Sequence, residues 1–201
     1  KLYEQYSPVN AQIVVLDPDT FDILAMAESP SYDLNDIPRD DPELLNELSR
    51  NNLISDIYEP GSTFKIVTAA ANIEEYLQGN SAAFSLQYHF NSSRTRTVDG
   101  TTIKCWSTHA NGKHCNQTLA EALNNSCNLW FIQAAQTLQP TVFYDYIRAF
   151  GFTQPTGIDL PSETRWTSVY NAEQMAEVDT NLYTAAFGQN ESITPMQMAT
   201  A

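Results

Sequence analysis

Basic residues are scarce in this sequence. Its 201 residues include 10 lysines and arginines against 24 aspartates and glutamates, which gives a formal net charge of -14. Proteins that bind nucleic acid need a basic surface to neutralise phosphates, so the composition excludes nucleic acid as an expected partner. An anionic membrane surface is disfavoured for the same electrostatic reason.

Glycine and long apolar runs are also scarce. Only 7 glycines occur, which argues against glycine-rich phosphate-binding loops. The longest apolar runs, such as residues 23–27, fall far short of the roughly 20 residues that a membrane-spanning helix needs. The length and the 42% hydrophobic content predict one globular domain with its own core.

The three cysteines, Cys105, Cys115 and Cys127, allow at most one internal disulfide. Cys105 and Cys115 are close enough in sequence to bridge a loop, and three reduced thiols are the alternative that the spacing leaves open. With His109 and His114, these two cysteines form a cluster of candidate zinc ligands. Its spacing matches none of the common zinc-binding patterns, so we favour an incidental cluster in a loop and expect no metal site.

The apolar patterns predict strands first and helices after them. Residues 12–17 and 21–27 are apolar runs separated by a turn-forming Asp-Pro-Asp-Thr sequence, and they predict an antiparallel hairpin. Alternating apolar residues at 84–90 predict a half-buried strand, and residues 98–101 predict a second hairpin turn. Both features belong to a small β excursion at about 80–117.

Helices are predicted where apolar residues recur at three- and four-residue spacing and where capping residues precede them. The predicted helices lie at about 43–48, from Ser62 onward, from Thr118, at 127–138, at 140–151 and from Thr194 to the last residue. Helices packed on a small antiparallel sheet make an α/β or α+β fold.

Ser62-Thr63-Phe64-Lys65 is the first candidate catalytic segment. Residues three apart share a helix face, so the Lys65 amine can reach the Ser62 hydroxyl. Such an amine activates a serine nucleophile if burial lowers its pKa enough to populate the neutral form. The alternative is a capping serine and a surface lysine, because this spacing occurs about once by chance in a chain of this length.

Ser126-Cys127-Asn128, between two predicted helices, is the second candidate. A serine hydroxyl can relay a proton, and an asparagine amide can bind a substrate amide through both its donor and its acceptor. We expect the Asn128 amide to be idle until a substrate binds. The alternative is that Ser126 only caps the helix that follows it.

The context of these two segments resembles the transpeptidase domain of penicillin-binding proteins. The resembling segments follow that family's order along the chain and are residues 13–18 with 23–27, 50–65, 119–123 with 126–128, 151–163, and 187–189 with 193–198. The Ser-Cys-Asn motif and the Thr-Gly-Ile-Asp-Leu-Pro run are similar to the class B, monofunctional branch.

This resemblance implies a fold, an activity and a location. The fold is the serine transpeptidase or β-lactamase-like α/β (α+β) fold, an antiparallel sheet flanked by helices. The activity is D,D-transpeptidation, which cross-links peptidoglycan stem peptides at the extracytoplasmic face of the bacterial membrane, and β-lactam antibiotics acylate the same serine. The resemblance implies no metal or organic cofactor, and it implies other cell-wall synthesis proteins as partners.

The resemblance also implies roles for four residues. Ser62 is the nucleophile that forms the acyl-enzyme, and Lys65 is the base that activates it. Ser126 passes the proton towards the leaving amine. Asn128 binds the amide of the donor peptide.

The chain departs from the family pattern because it contains no Lys-Ser-Gly or Lys-Thr-Gly third motif. We therefore expect residues 1–201 to be the N-terminal part of a single transpeptidase domain, incomplete at the C-terminal end and weakly active or inactive alone. The family's membrane anchor is also absent from this chain, so we expect membrane attachment only through an anchor elsewhere in the parent protein.

Three other functions stay open. A β-lactamase shares the Ser-x-x-Lys segment, but Glu163, which follows the second motif as a deacylating glutamate does, lies inside the transpeptidase-like run. A β-lactam-sensing or non-catalytic penicillin-binding module is acylated without turning over peptide. A structural zinc-binding protein is the non-enzyme alternative.

Overall fold

The computed structural model describes residues 2–90, 95–105 and 116–201. The chain divides into two compact units, a first unit of residues 1–58, 154–167 and 193–201 and a second unit of residues 59–153 and 168–192. The expectation that residues 1–201 are part of a single domain stays a prediction.

Short helices and two antiparallel hairpins make up the described part of the chain. The elements, in chain order, are α1 (Leu2–Tyr6), β1 (Ala11–Leu16), β2 (Ile23–Ser29), α2 (Pro42–Leu48), α3 (Asn52–Ser55), a 3-10 turn (Gly61–Phe64), α4 (Lys65–Leu77), β3 (Thr95–Val98), β4 (Thr101–Lys104), α5 (Leu119–Asn124), α6 (Asn128–Leu138), α7 (Pro140–Ala149), α8 (Ala172–Glu177), α9 (Asp179–Ala185) and α10 (Pro195–Thr200). Among these helices, none combines the length and the apolar character needed to cross a membrane.

The predicted first hairpin is confirmed in the first unit. Strands β1 and β2 pair antiparallel, with Ile13 opposite Ala27. The carboxylate of Asp17 closes the turn by accepting hydrogen bonds from the backbone N–H groups of Asp19 at 2.8 Å and Thr20 at 3.0 Å. These two bonds hold the pKa of Asp17 below its ordinary value, since they favour the charged form.

The core of the first unit forms where α3 and α10 meet the inner side of this hairpin. Its buried residues and the partly buried residues that pack on them are Leu53, Ile54, Met196, Val14, Leu16, Met26 and Ile158. Apolar burial of this kind contributes about 25 cal/mol for each Å² removed from water. It fixes α3 and α10 on the hairpin.

The core of the second unit is larger and more aromatic. Its largest fully buried side chains include Trp130, Tyr183, Phe64, Phe131, Phe143, Phe152, Ile132 and Ile147. They come mainly from α6 and α7, and Phe64 comes from the 3-10 turn. The 3-10 turn and the start of α6 also carry parts of the two candidate catalytic segments. The same packing therefore positions those segments.

The second predicted hairpin turn is confirmed, and its hairpin packs on α6 and α9. Asp99 and Gly100 have φ values of 47° and 76°, as a two-residue hairpin turn requires. Arg96 of β3 donates a hydrogen bond of 2.7 Å to the side-chain oxygen of Gln136, and its guanidinium lies 4.9 Å from the ring centre of Tyr183. These contacts fix β3 and β4 on the second unit.

The predicted strand at residues 84–90 is wrong. The chain turns there, since the backbone N–H of Tyr88 donates to the carbonyl oxygen of Ser85 at 2.9 Å. The ring of Phe84 stacks on that of Tyr88 with 4.2 Å between their centres. Within this segment, Phe90 makes a β bridge, to Gln117. The alternating apolar residues thus reflect aromatic stacking inside a turn instead of one face of a strand.

Thr118 caps α5, the helix that leads to the second candidate segment. Its hydroxyl accepts from the backbone N–H of Glu121, whose carboxylate accepts from the backbone N–H of Thr118. We expect Thr118→Ala to lower the free energy of unfolding by about 1 kcal/mol, since it leaves a helix N–H without its acceptor. Thr118→Ser keeps the hydroxyl and is the matched control. Equal losses in the two variants, measured by chemical denaturation, would contradict the capping role.

Candidate active site

Ser62 lies in the 3-10 turn that precedes α4, and its side chain is exposed. The first residue before α4 is Phe64, which makes no side-chain cap, so the reading of Ser62 as a capping serine is wrong. Phe64 is fully buried, and its ring centre lies 5.0 Å from that of Phe152. This packing anchors the turn and leaves the Ser62 hydroxyl available.

Lys65, the first residue of α4, is fully buried and is the hub of the site. Its Nζ lies 3.1 Å from Ser62 Oγ and 2.8 Å from Ser126 Oγ. It also donates to the Ser126 carbonyl oxygen at 2.9 Å and to Asn128 Oδ1 at 2.6 Å. The structure thus brings together all four residues to which the sequence assigned a role.

Ser126 occupies the junction between α5 and α6 with a φ of 52°. The residue that precedes α6 is Cys127, so Ser126 does not cap that helix. Its hydroxyl instead donates to Ser62 Oγ at 3.0 Å. The expectation of an idle Asn128 amide is also wrong, because its oxygen already accepts a hydrogen bond from Lys65.

Burial lowers the pKa of Lys65 from 10.5 to about 8, because water no longer solvates its ammonium group. The nearby thiols of Cys127 and Cys105 act in the opposite direction. At pH 7 a pKa of about 8 leaves roughly one lysine in ten neutral, far more than in solution. A neutral amine beside a serine hydroxyl can accept its proton.

The three atoms Ser62 Oγ, Lys65 Nζ and Ser126 Oγ form a closed triangle of hydrogen bonds. Each side is short enough for a proton to pass along it without a bridging water. The arrangement can therefore deprotonate Ser62 and carry the proton to a second hydroxyl. It has the form of a nucleophile with an adjacent base and a relay.

The sequence did not predict that Cys105 would lie beside this site. The pKa of its thiol is raised, first by a hydrogen bond with the Cys127 side chain and then by burial. No spacing rule could place these two residues together, because the contact depends on how β4 packs on α6. Cys115, which the sequence allows as a disulfide partner of Cys105, lies outside the described residues.

The candidate zinc cluster cannot be compared with the structure, because His109, His114 and Cys115 lie outside the described residues. Within residues 2–90, 95–105 and 116–201, no group of three or more histidine, cysteine, aspartate or glutamate side chains is arranged to hold a metal ion.

Comparison with known proteins identifies relatives of this chain. A sequence profile of the penicillin-binding protein transpeptidase domain matches residues 11–201. Stage V sporulation protein D of Bacillus subtilis is 36% identical over 197 residues, which cover 98% of this chain and 28% of that protein. Peptidoglycan D,D-transpeptidase FtsI of Escherichia coli is 27% identical over 195 residues, which cover 92% of this chain and 28% of that protein.

Solved structures have the same fold. Penicillin-binding protein 3 from Mycobacterium tuberculosis, complexed with aztreonam, matches with a TM-score of 0.80 and 28% identity, over 98% of this chain and 40% of that one. A peptidoglycan glycosyltransferase from Burkholderia ambifaria matches with a TM-score of 0.78 at 17% identity, over 98% of this chain and 53% of that one. The predicted fold class, helices with antiparallel strands in a serine transpeptidase fold, is confirmed.

The burial of Lys65 predicts a pH dependence of stability. Below pH 8 the lysine is charged in both folded and unfolded states and carries its full burial cost. As pH rises from about 8 to 10.5, the folded state loses its proton first, so the free energy of unfolding that this group contributes increases. Lys65→Met removes the buried charge. Its free energy of unfolding should therefore exceed that of the native protein most below pH 8, and this difference should shrink towards pH 10.5.

Thermal unfolding of the full-length gene product at pH 7 and pH 10 measures this difference. Ile66→Met, at a partly exposed position next along α4, is the control for introducing a methionine. A difference between Lys65→Met and the native protein that is the same at both pH values would show that burial does not depress this pKa.

Proposed function

Because the chain belongs to the transpeptidase domain family of penicillin-binding proteins, we propose that it forms part of a serine D,D-transpeptidase that cross-links peptidoglycan. The chain spans only 28% of the length of the first curated relative, so the activity is proposed for the full-length gene product. The single observation that carries the proposal is the buried Lys65 amine within hydrogen-bonding distance of Ser62, Ser126 and Asn128.

The first chemical step is acylation of Ser62. Neutral Lys65 accepts the proton of the Ser62 hydroxyl, and Ser62 Oγ attacks the carbonyl carbon of a D-Ala-D-Ala peptide bond. The backbone N–H of Ser62, near the start of the 3-10 turn, carries partial positive charge, which favours the oxyanion that forms. The C–N bond breaks when the leaving amine takes a proton through Ser126, whose hydroxyl contacts both Lys65 and Ser62.

The second step releases the acyl group to a new amine. An amino group of another stem peptide attacks the ester carbonyl carbon and gives up a proton along Ser126 to Lys65. The ester C–O bond then breaks, and Lys65 passes that proton to Ser62 Oγ, which regenerates the Ser62 hydroxyl and the neutral lysine. Asn128 gives its oxygen to Lys65, so its Nδ2 is the part of the amide that can donate to a substrate carbonyl. It binds the donor peptide while it holds the lysine in place.

The proposal includes the ligands and the location. β-Lactam antibiotics present a strained amide to the same nucleophile and should acylate Ser62. Peptidoglycan lies outside the cytoplasmic membrane, so the domain should act there, in the company of other cell-wall synthesis proteins. The chemistry of the four residues requires no metal or organic cofactor.

Ser62→Ala should abolish covalent labelling of the full-length gene product by a fluorescent penicillin, since it removes the attacking oxygen. Ser85→Ala, in the same unit, is the control and should be labelled like the native protein. Labelling that persists in Ser62→Ala would refute the assignment. Rapid steady hydrolysis of a chromogenic β-lactam would instead identify a β-lactamase, and acylation without turnover of stem peptide would identify a sensor.

The rate of acylation should rise with pH around a midpoint near 8, because only neutral Lys65 accepts a proton. Asn128→Asp places a carboxylate next to Lys65 Nζ, which favours the ammonium form, so the midpoint should move up by about one pH unit or more. Asn124→Asp adds the same charge at the exposed end of α5 and should leave the midpoint near its native value. An unchanged midpoint in Asn128→Asp would remove Lys65 as the base.

A further inference from the structure

The 3-10 turn that carries Ser62 is a weak structural element, and contacts from other segments must hold it in place. The turn Gly61–Phe64 is a single 3-10 segment, whose hydrogen bonds are poorer than those of the α-helix that follows. Ser62 is exposed, so apart from the hydrogen bonds that its hydroxyl accepts from Lys65 and Ser126 its side chain does little to fix the turn. The distance of 3.1 Å between Ser62 Oγ and Lys65 Nζ therefore depends on contacts that other segments make with the turn.

Residues 186–191, here called the support loop, lie directly against this turn. The carbonyl oxygen of Gly188 accepts a hydrogen bond of 2.8 Å from the backbone N–H of Gly61. A Cβ atom on Gly188 would lie 2.3 Å from the Gly61 carbonyl oxygen and 2.6 Å from Phe64 Cβ. The oxygen is a backbone atom that cannot rotate away, so with any side chain at residue 188 the Ser62 turn or the support loop must shift.

Two further contacts join the support loop to the same region. The backbone N–H of Asn190 donates to the carboxylate of Glu59, just before the turn, at 3.0 Å. The hydroxyl of Thr68, one turn along α4 from Lys65, donates to the carbonyl oxygen of Ala186 at 2.8 Å and is fully buried. The support loop therefore makes hydrogen bonds to the chain both before and after Ser62.

The support loop is itself held firmly. Its backbone continues from α9 through hydrogen bonds of 3.0 Å, from Gly188 to Ala185 and from Gln189 to Thr184. At its far end Glu191 is fully buried and accepts from the backbone N–H of Tyr170. Burial raises the pKa of Glu191 to about 8, so at neutral pH the carboxyl group is mostly uncharged and anchors the loop without a buried charge.

We propose that Gly188 is a positioning residue for Ser62. Because Gly188 has no side chain, the support loop can pack closely against the turn and hold the Ser62 hydroxyl within hydrogen-bonding distance of Lys65 and Ser126. Glu59 assists by tying the loop to the segment before the turn. This inference rests on the proposed function, since its readout is the acylation of Ser62. Neither Gly188 nor Glu59 touches the reacting atoms.

Gly188→Ala tests the close approach. Gly79→Ala is the matched control, because Gly79 also has a positive φ, 83° against 73°, but a Cβ there meets nothing within 4 Å. Both variants carry the backbone strain, and only Gly188→Ala moves the turn. We expect the first-order acylation rate constant at saturating fluorescent penicillin to fall about a hundredfold in Gly188→Ala, with a much smaller change in the dissociation constant of the non-covalent complex. Gly79→Ala should retain the native rate constant.

Glu59→Ala and Glu59→Gln test the same support at a residue outside the close contact, and so they also serve if Gly188→Ala does not fold. Glu59 is exposed, so its loss should leave the melting temperature nearly unchanged. We expect Glu59→Ala to slow acylation by about fivefold, the equivalent of one hydrogen bond, and Glu59→Gln to restore it because the amide oxygen can still accept from Asn190.

The outcomes separate the two hypotheses. If the native full-length protein is not acylated at Ser62, the proposed function fails. If the native protein is acylated and a folded Gly188→Ala keeps the rate constant of Gly79→Ala, the positioning role is wrong. A native acylation rate constant in Glu59→Ala would show that the hydrogen bond between Asn190 and Glu59 does not help to position Ser62.

Discussion

An ammonium group that leaves water needs an acceptor for each of its N–H bonds, and Lys65 finds its acceptors in two distant parts of the chain. Ser62 lies one turn before it, whereas Ser126 and Asn128 lie at the junction of α5 and α6. The buried charge thus requires that junction to pack against the start of α4. The aromatic core beneath, with Phe131 about 5.6 Å from the amine, supplies the low-polarity surroundings that depress its pKa.

Three residues with positive φ angles lie around this lysine. Gly61, Ser126 and Gly188 have φ values of 56°, 52° and 73°. They lie in the Ser62 turn itself, at the junction of α5 and α6, and in the support loop. Non-glycine residues pay about 1–2 kcal/mol for such a conformation, a cost that the surrounding packing must offset. The strain at Ser126 places its hydroxyl beside Lys65, whereas Gly188 adopts its positive φ without that cost and allows the close approach to the Ser62 turn.

Local signals in the sequence were sufficient for much of the fold. The turn at Asp17 and the capping boxes at Thr118 and Thr194 depend on neighbours within four residues, and the structure has them where they were expected. The helix α8 begins with a capping box formed by Asn171 and Gln174, a signal of the same kind, although the apolar pattern predicts no helix there. By contrast, Phe84 and Tyr88 belong to an alternating apolar pattern that predicts a strand, but in the structure their rings stack within a turn. Proximity of Cys105 to Cys127 and the fit of the support loop under Ser62 depend on tertiary packing, which no local pattern encodes.

The left-handed conformation of Ser126 limits the chemistry that this position can host. Threonine carries the same hydroxyl and would be the obvious substitute on chemical grounds. Its branched Cβ, however, crowds the backbone at a φ of 52°, whereas serine tolerates that conformation at lower cost. Serine and threonine are therefore equivalent as proton relays, but the backbone conformation at residue 126 favours serine.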